Sequence, residues 1–253
     1  MTMLSGAPRK RTSSRAGLES PDFRPCEEGV TFSLAGAAVV ATAGGALWIP
    51  AAQTLIVSDL HLEKGSSFAR RGQMLPPYDS RATLARLEAL VLTLRPACVV
   101  SLGDSFHDPY AAARLDAADA AAVRRLTDAV DFVWIEGNHD PHPPADLGGR
   151  AATEITVAGL RLRHEPQTSP APGEVAGHLH PCAAIAGRGR RIRARCFATD
   201  GARLVMPAFG AYTGGLNVCD EAFAPVFPQG CAAVLLARGG AYPAPSARLL
   251  PDG

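Results

Sequence analysis

Apolar runs of strand length in this chain end repeatedly on a residue that can bind a metal or move a proton. Thr54–Ser58 (TLIVS) is followed at once by Asp59 and His61, the run ending at Leu102 by Gly103 and Asp104, and the run ending at Ile135 by Gly137, Asn138 and His139. His164 closes LRLRH, and His178 and His180 follow the short run EVA. The carboxyl ends of parallel strands open onto one crevice, so side chains far apart in sequence can converge there. This punctuation constrains the chain towards an α/β fold with a site at its strand ends.

The intervening segments fit that frame. Leu84, Leu87, Val91 and Leu94 recur at helical spacing, which predicts a helix over Ser80–Arg95 capped by Asp79 and stopped by Pro96. Ala111–Val130 reads as a second, Ala-rich helix. Val30–Ile49 reads as short strands broken at Gly44-Gly45, with further strands at Ala97–Leu102 and Phe132–Ile135. Beyond residue 150 the texture turns to hairpins, Ile155–Arg163 about Ala158-Gly159 and Ala183–Phe197 about residues 187–189, followed by strands at Leu204–Ala208 and Ala232–Ala237. A βαβαβ half joined to a mostly antiparallel half predicts a four-layer α/β sandwich: two mixed β-sheets packed face to face with flanking helices. Residues 1–28, rich in Ser, Pro, Arg and Gly, are expected to be a disordered basic leader, 29–240 a single domain, and 241–253 a loose C-terminal tail.

Composition removes several function classes. The 253 residues carry a formal net charge of +1, which excludes a wholly basic nucleic-acid coat and an acidic disordered chain. No run of about 18 apolar residues occurs, so no membrane span is expected, and the basic first 15 residues lack the apolar stretch of a signal peptide. Six scattered cysteines without a CxxC suit reduced thiols and a cytoplasmic location better than a disulfide scaffold.

The residues at the strand ends form a mixed oxygen and imidazole donor set without thiolate. That set suits Mn²⁺, with Fe or Zn²⁺ as alternatives, and suits Ca²⁺ or an iron–sulfur cluster poorly. Seven donors exceed the needs of one ion that must also hold water and substrate, so two ions sharing a carboxylate are expected. Two such ions roughly 3.5–4 Å apart can generate a hydroxide and neutralise charge on an attacked phosphate. The glycines before Asp104, Asn138 and His178 are expected to allow tight turns. Any one of these residues alone could be a hydrogen-bonded structural group; the expectation rests on the set.

The blocks SDLH, GDSFHD, GNHD, a single His and GHLH, in that order, resemble the calcineurin-like metallophosphoesterase superfamily. The resemblance implies that Asp59, His61 and His180 hold one metal, that Asp104 bridges, and that Asn138, His164 and His178 hold the second. It implies that His139 faces the phosphate, stabilising the transition state or protonating the leaving oxygen. SDLHLEKGSSFARRG and PAFGAYTGGLNV are similar to the bacterial ligase-associated DNA damage response endonuclease (PdeM) family, which implies a DNA substrate and, as partners, a DNA-repair ligase and helicase. GDSFHD is similar to a block of double-strand-break repair exonucleases, and either His107 or Asp108 is expected to orient His139.

RGRRIRAR holds Arg188, Arg190, Arg191, Arg193 and Arg195. In a hairpin Arg191, Arg193 and Arg195 would share a face, either a stripe for nucleic-acid phosphates or an edge strand kept soluble by charge. Lys64, Arg70 and Arg71 beside the first block could steer an anion or sit on a solvated loop. His142 reads as surface. The expected reaction is dimetal-dependent hydrolysis of a phosphodiester in a nucleic acid. A small-molecule or cyclic-nucleotide phosphodiesterase and a catalytically dead phosphoesterase-fold scaffold stand as alternatives.

Overall fold

A computed structural model describes residues 21–252 apart from 77, 143 and 188. Most of the expected basic leader, residues 1–20, lies outside the described residues, as does Arg188 of the arginine-rich hairpin. The first sheet has eight strands in chain order: Arg24–Pro25 (β1), Gly29–Leu34 (β2), Ala37–Thr42 (β3), Leu47–Ile49 (β4), Thr54–Val57 (β5), Cys98–Leu102 (β6), Asp131–Ile135 (β7) and Arg150–Ala152 (β8). Pairing is antiparallel from β1 to β5 and parallel from β5 to β8.

The second sheet has nine strands: Glu154–Val157 (β9), Leu160–Arg163 (β10), Glu174–Ala176 (β11), Pro181–Gly187 (β12), Arg190–Thr199 (β13), Leu204–Val205 (β14), Leu216–Asn217 (β15), Ala232–Ala237 (β16) and Gly240–Ala244 (β17). Its order is β15-β12-β13-β14-β11-β10-β9, with β16 on β13 and β17 on β16. Inside it β10, β11 and β14 run parallel. Three helices are described, Lys64–Ala69 (α1), Asp79–Leu94 (α2) and Ala117–Ala129 (α3).

Alternation along the parallel strands makes the layers. Ile56, Val100, Val133 and Ile135 point between the sheets, where they meet Leu162, Val175, Phe197 and Met206. Their neighbours Leu55, Val57, Val99, Phe132 and Trp134 point the other way, against Leu84 and Leu87 of α2 and Val123 and Leu126 of α3. Strands covered on both faces are apolar throughout, which is why β5 and β6 show no polar–apolar alternation. The outer face of the second sheet is covered by Phe223, Val226 and Phe227 from an irregular stretch with a short 3₁₀ turn, Glu221–Phe223.

Local chemistry shifts several expected boundaries. Asp79 lies inside the first turn of α2 and not at its cap; Tyr78 takes that place, and Asp79 Oδ2 accepts from the Gly65 amide at 2.9 Å. The expected helix over Ala111–Val130 is broken, because Asp116 caps a new start by accepting from the Asp119 amide at 2.7 Å. The tail expected to be loose from Ala241 carries β17, and the Leu250 amide then bonds the Ala184 carbonyl at 2.8 Å. Within the expected leader, β1 pairs with β2. All six cysteines are free thiols, and no described helix is long and apolar enough to cross a membrane.

Candidate active site

Both sheets aim parallel strand ends at the same place. Asp59, Asp104 and Asn138-His139 follow β5, β6 and β7 of the first sheet, whereas His164 follows β10 and His178 and His180 follow β11 of the second. The side chains meet in two adjoining groups, Asp59 with His61 and His180, and Asp104 with His164 and His178. Within each group the potential ligand atoms lie within 4.8 Å of one another. In the first, His180 Nε2 stands 3.1 Å from Asp59 Oδ1 and 3.3 Å from His61 Nε2. In the second, His164 Nε2 stands 3.4 Å from Asp104 Oδ1 and 3.3 Å from His178 Nδ1, and Asn138 Oδ1 lies 2.9 Å from the same His164 nitrogen. The Asp104 carboxylate faces both groups, with Oδ2 turned to His61 Nε2 at 3.9 Å.

Holding these groups together bends the backbone. Asp59, His61, Asp104, His178 and His180 all have positive φ, between 44° and 68°. Left-handed conformations cost a residue with a Cβ roughly 1–2 kcal/mol. They persist only where surrounding structure over-determines them, and they concentrate at functional sites. Of the three glycines expected at turns, only Gly103 takes positive φ, and Gly137 and Gly177 answer a different need: a Cβ on either would overlap Asp104 or Ser58.

Charge and proton placement match a cation site. Asp59 and Asp104 are buried. Burial opposes charge on Asp104, but the hydrogen bond and charge of His164, the His139 amide and the His61 charge together outweigh it and hold the carboxyl at about 2. Against its own burial, the Asp104 hydrogen bond and the charges of Asp59 and Asp104 lift His164 to about 9, the mark of a strongly negative pocket. Burial drives His61 down to about 3 and also lowers His178, keeping both neutral and able to ligate. His164 Nδ1 donates to the Leu102 carbonyl at 2.8 Å, which leaves Nε2 for a metal; metal-binding histidines usually have such a second partner. These donors fit a pair of divalent ions.

His139 stands at the rim, its side chain 42% exposed and Nε2 3.9 Å from Asp104 Oδ2. Its Nδ1 donates to the backbone carbonyl of His107 at 2.9 Å, and the His107 ring stacks on it at 5.5 Å. Neither expected orienting side chain bonds it. Asp108 instead takes a two-pronged bond from Arg114, at 2.8 and 2.7 Å, and Arg114 also reaches Ser66 on α1. Burial, together with the Lys64 charge, pushes His107 down to about 4. Phe68 of α1 packs beside His107 with the Lys64 ammonium 5.9 Å from the Phe68 ring centre, and the Lys64 and Arg71 charges both reach His107.

The arginine stripe does not form one surface. Arg191 and Arg193 pair with Asp252 at 3.4 and 3.1 Å, while Arg195 is half-buried and donates to the Ala208 carbonyl at 2.7 Å. The loop after β14, which carries PAFGAYTGGLNV, has a structural role that the resemblance did not supply. The amides of Phe209 and Gly210 bond the carbonyls of Ser58 and Asp59 at 2.7 and 3.0 Å. A Cβ at Gly210 would strike the Leu60 carbonyl, and one at Gly215 the His180 carbonyl. Gly210 and Gly215 of PAFGAYTGG let this loop lie directly on the backbones that carry Asp59, His61 and His180.

Among solved structures, a crystal structure of Pseudomonas putida nuclease MPE is similar to this chain at 30% sequence identity and a TM-score of 0.65, covering 88% of this chain and 100% of that one. The chain belongs to the metallophosphoesterase family of that nuclease. A protein of unknown function from Aquifex aeolicus (15% identity, 50% and 78% of the two chains, TM-score 0.35) and the E. coli phosphoesterase YfcE (18%, 64% and 82%, 0.36) are more distant. No protein-family model and no curated protein matches. In this metallophosphoesterase the two sheets, and not one, supply the strand ends, which is how side chains from residues 59 to 180 that could hold a metal reach a single cleft.

Proposed function

We propose that this metallophosphoesterase is a dimetal-dependent phosphodiesterase that cuts nucleic acid, with DNA as the preferred substrate and manganese as the preferred metal. The observation that carries the reading is the Asp104 carboxylate set between two ligand groups, with His139 3.9 Å from it at the rim. Asp59, His61 and His180 would hold one ion, Asn138, His164 and His178 the other, and Asp104 both. Bound there, two divalent ions would supply an activated water and neutralise charge on the non-bridging phosphate oxygens. His139 keeps its proton on Nδ1 through the His107 carbonyl, so Nε2 is the nitrogen turned to substrate, able when protonated to deliver a proton to the departing sugar oxygen. Lys64, Arg70 and Arg71 would attract the phosphate chain.

That the Pseudomonas putida relative is a nuclease supports nucleic acid over a small diester. A cytoplasmic location, and a repair ligase and helicase as partners, rest on the free cysteines and on the family resemblance. The test is to incubate the purified protein and His139→Ala with Mn²⁺ and, separately, with single-stranded DNA, duplex DNA, a cyclic nucleotide and an aryl phosphodiester. Cleavage of DNA that EDTA abolishes and His139→Ala loses is expected. Cleavage of the cyclic nucleotide alone would overturn the nuclease reading.

A further inference from the structure

Two arginines that touch the Ala208–Gly210 loop have no acidic partner among the described residues. Arg86, on α2, is half-buried with its guanidinium carbon 4.1 Å from the centre of the Phe209 ring. Its Nε and Nη2 are buried and meet no hydrogen-bond partner among the described residues. Arg195, on β13, donates to the Ala208 carbonyl and is near enough to Arg86 for the charges to repel. Burial and the Arg195 charge push the Arg86 guanidinium down to about 10. Neither arginine forms an ion pair among the described residues, whereas Arg191 and Arg193 on the same strand share Asp252.

Unsatisfied buried donors and a pair of like charges are both costly, and an anion between them would relieve both. The position is tied to the active site. Phe209 and Gly210 bond the backbone of Ser58 and Asp59, and the Ala211 amide bonds Thr83 Oγ1, three residues before Arg86 on α2, at 3.1 Å. One loop therefore has the ligand-bearing strand end on one side and the guanidinium pair on the other.

We propose that Arg86 and Arg195 form a phosphate subsite that holds the substrate strand beside the phosphodiester being cut. This rests on the nucleic-acid reading above, and it assigns the anchoring to Arg86 and Arg195 and not to Arg191 and Arg193. A guanidinium can offer two parallel N–H groups to a phosphate, and the Phe209 ring already fixes the Arg86 plane.

The test compares wild type, Arg86→Met and Arg86→Lys on single-stranded DNA and on an aryl phosphodiester, which has one phosphorus and cannot reach a flanking subsite. Met keeps the unbranched stem against Phe209. For Arg86→Met, kcat/KM on DNA should fall about ten-fold relative to that on the aryl diester, and the dependence of log KM on log salt should flatten by about one unit, with Lys partly restoring both. Equal losses on both substrates would make Arg86 a packing residue and overturn the subsite. Wild-type protein that hydrolyses the aryl diester and no nucleic acid would instead refute the substrate reading, and the proposed strand contact with it. A second measurement avoids catalysis: millimolar sulfate should raise the Tm of EDTA-treated wild type and leave Arg86→Met where it was. An equal response from both proteins would also overturn the subsite.

Discussion

His139 is held by the backbone of His107 and not by its ring: the Nδ1–H of His139 meets the His107 carbonyl oxygen at 2.9 Å. A main-chain acceptor fixes the tautomer and survives any substitution at 107. The His107 ring only stacks on His139, at an interplanar angle of 21°.

His139→Ala should therefore lose about 10²–10⁴-fold in kcat, the usual worth of a positioned acid. His107→Ala should lose about ten-fold or less, since it removes a stacking partner and leaves the carbonyl. Turnover of an aryl phosphodiester at saturating Mn²⁺ compares the two. Equal losses would mean that the His107 ring itself acts on substrate.

Arg114 ties the segment after Asp104 to α1 through Asp108 and Ser66. Its hydrogen bonds hold the Asp108 carboxyl, against partial burial, at about 2, below the ordinary 3.8. A carboxylate depressed in this way adds stability that is complete above its unfolded pKa and fades as pH falls through the folded one. Urea unfolding of wild type should show a loss between about pH 4 and pH 2 that Arg114→Met lacks. At pH 7 that variant should be less stable by about 1.5–3 kcal/mol, the typical worth of hydrogen bonds to a charged group.

Gly210→Ala places a methyl group on the Leu60 carbonyl. Either the loop lifts or Asp59 and His61 move, and a displacement near 1 Å in such a site can cost about 10²-fold. A fall of that order in kcat, with weaker Mn²⁺ binding by calorimetry, is expected. Gly214→Ala, where a Cβ meets nothing within 4 Å, is the control.

Adding Mn²⁺ should stabilise the protein by mass action, by about 2.7 kcal/mol at 100 times the dissociation constant. Asp104→Asn should lose most of that gain, because its carboxylate faces both ligand groups. Thermal unfolding in EDTA and in Mn²⁺ reads this directly; an undiminished shift in Asp104→Asn would remove Asp104 from the metal centre.

The main strands, α2 and the convergence of the candidate site residues were legible in the chain, whereas α1, β1, β8, β15 and β17 were not. Apolar runs of four to five residues ending on Asp, Asn or His are local patterns, and alternation or helical spacing carries them into strands and into α2. What escaped was whatever depends on contacts distant in sequence. Asp79 reads as a cap until the Gly65 amide claims it; Arg191 and Arg193 read as an open stripe until Asp252, some 60 positions on, closes over them. The left-handed backbone at five of the site residues, and the loop of Gly210 lying on Leu60, follow from packing two sheets face to face with their strand ends around a shared cleft. Side-chain identity therefore settled which groups could bind metal, and tertiary packing alone decided where each lone pair points and which arginines keep an unneutralised charge.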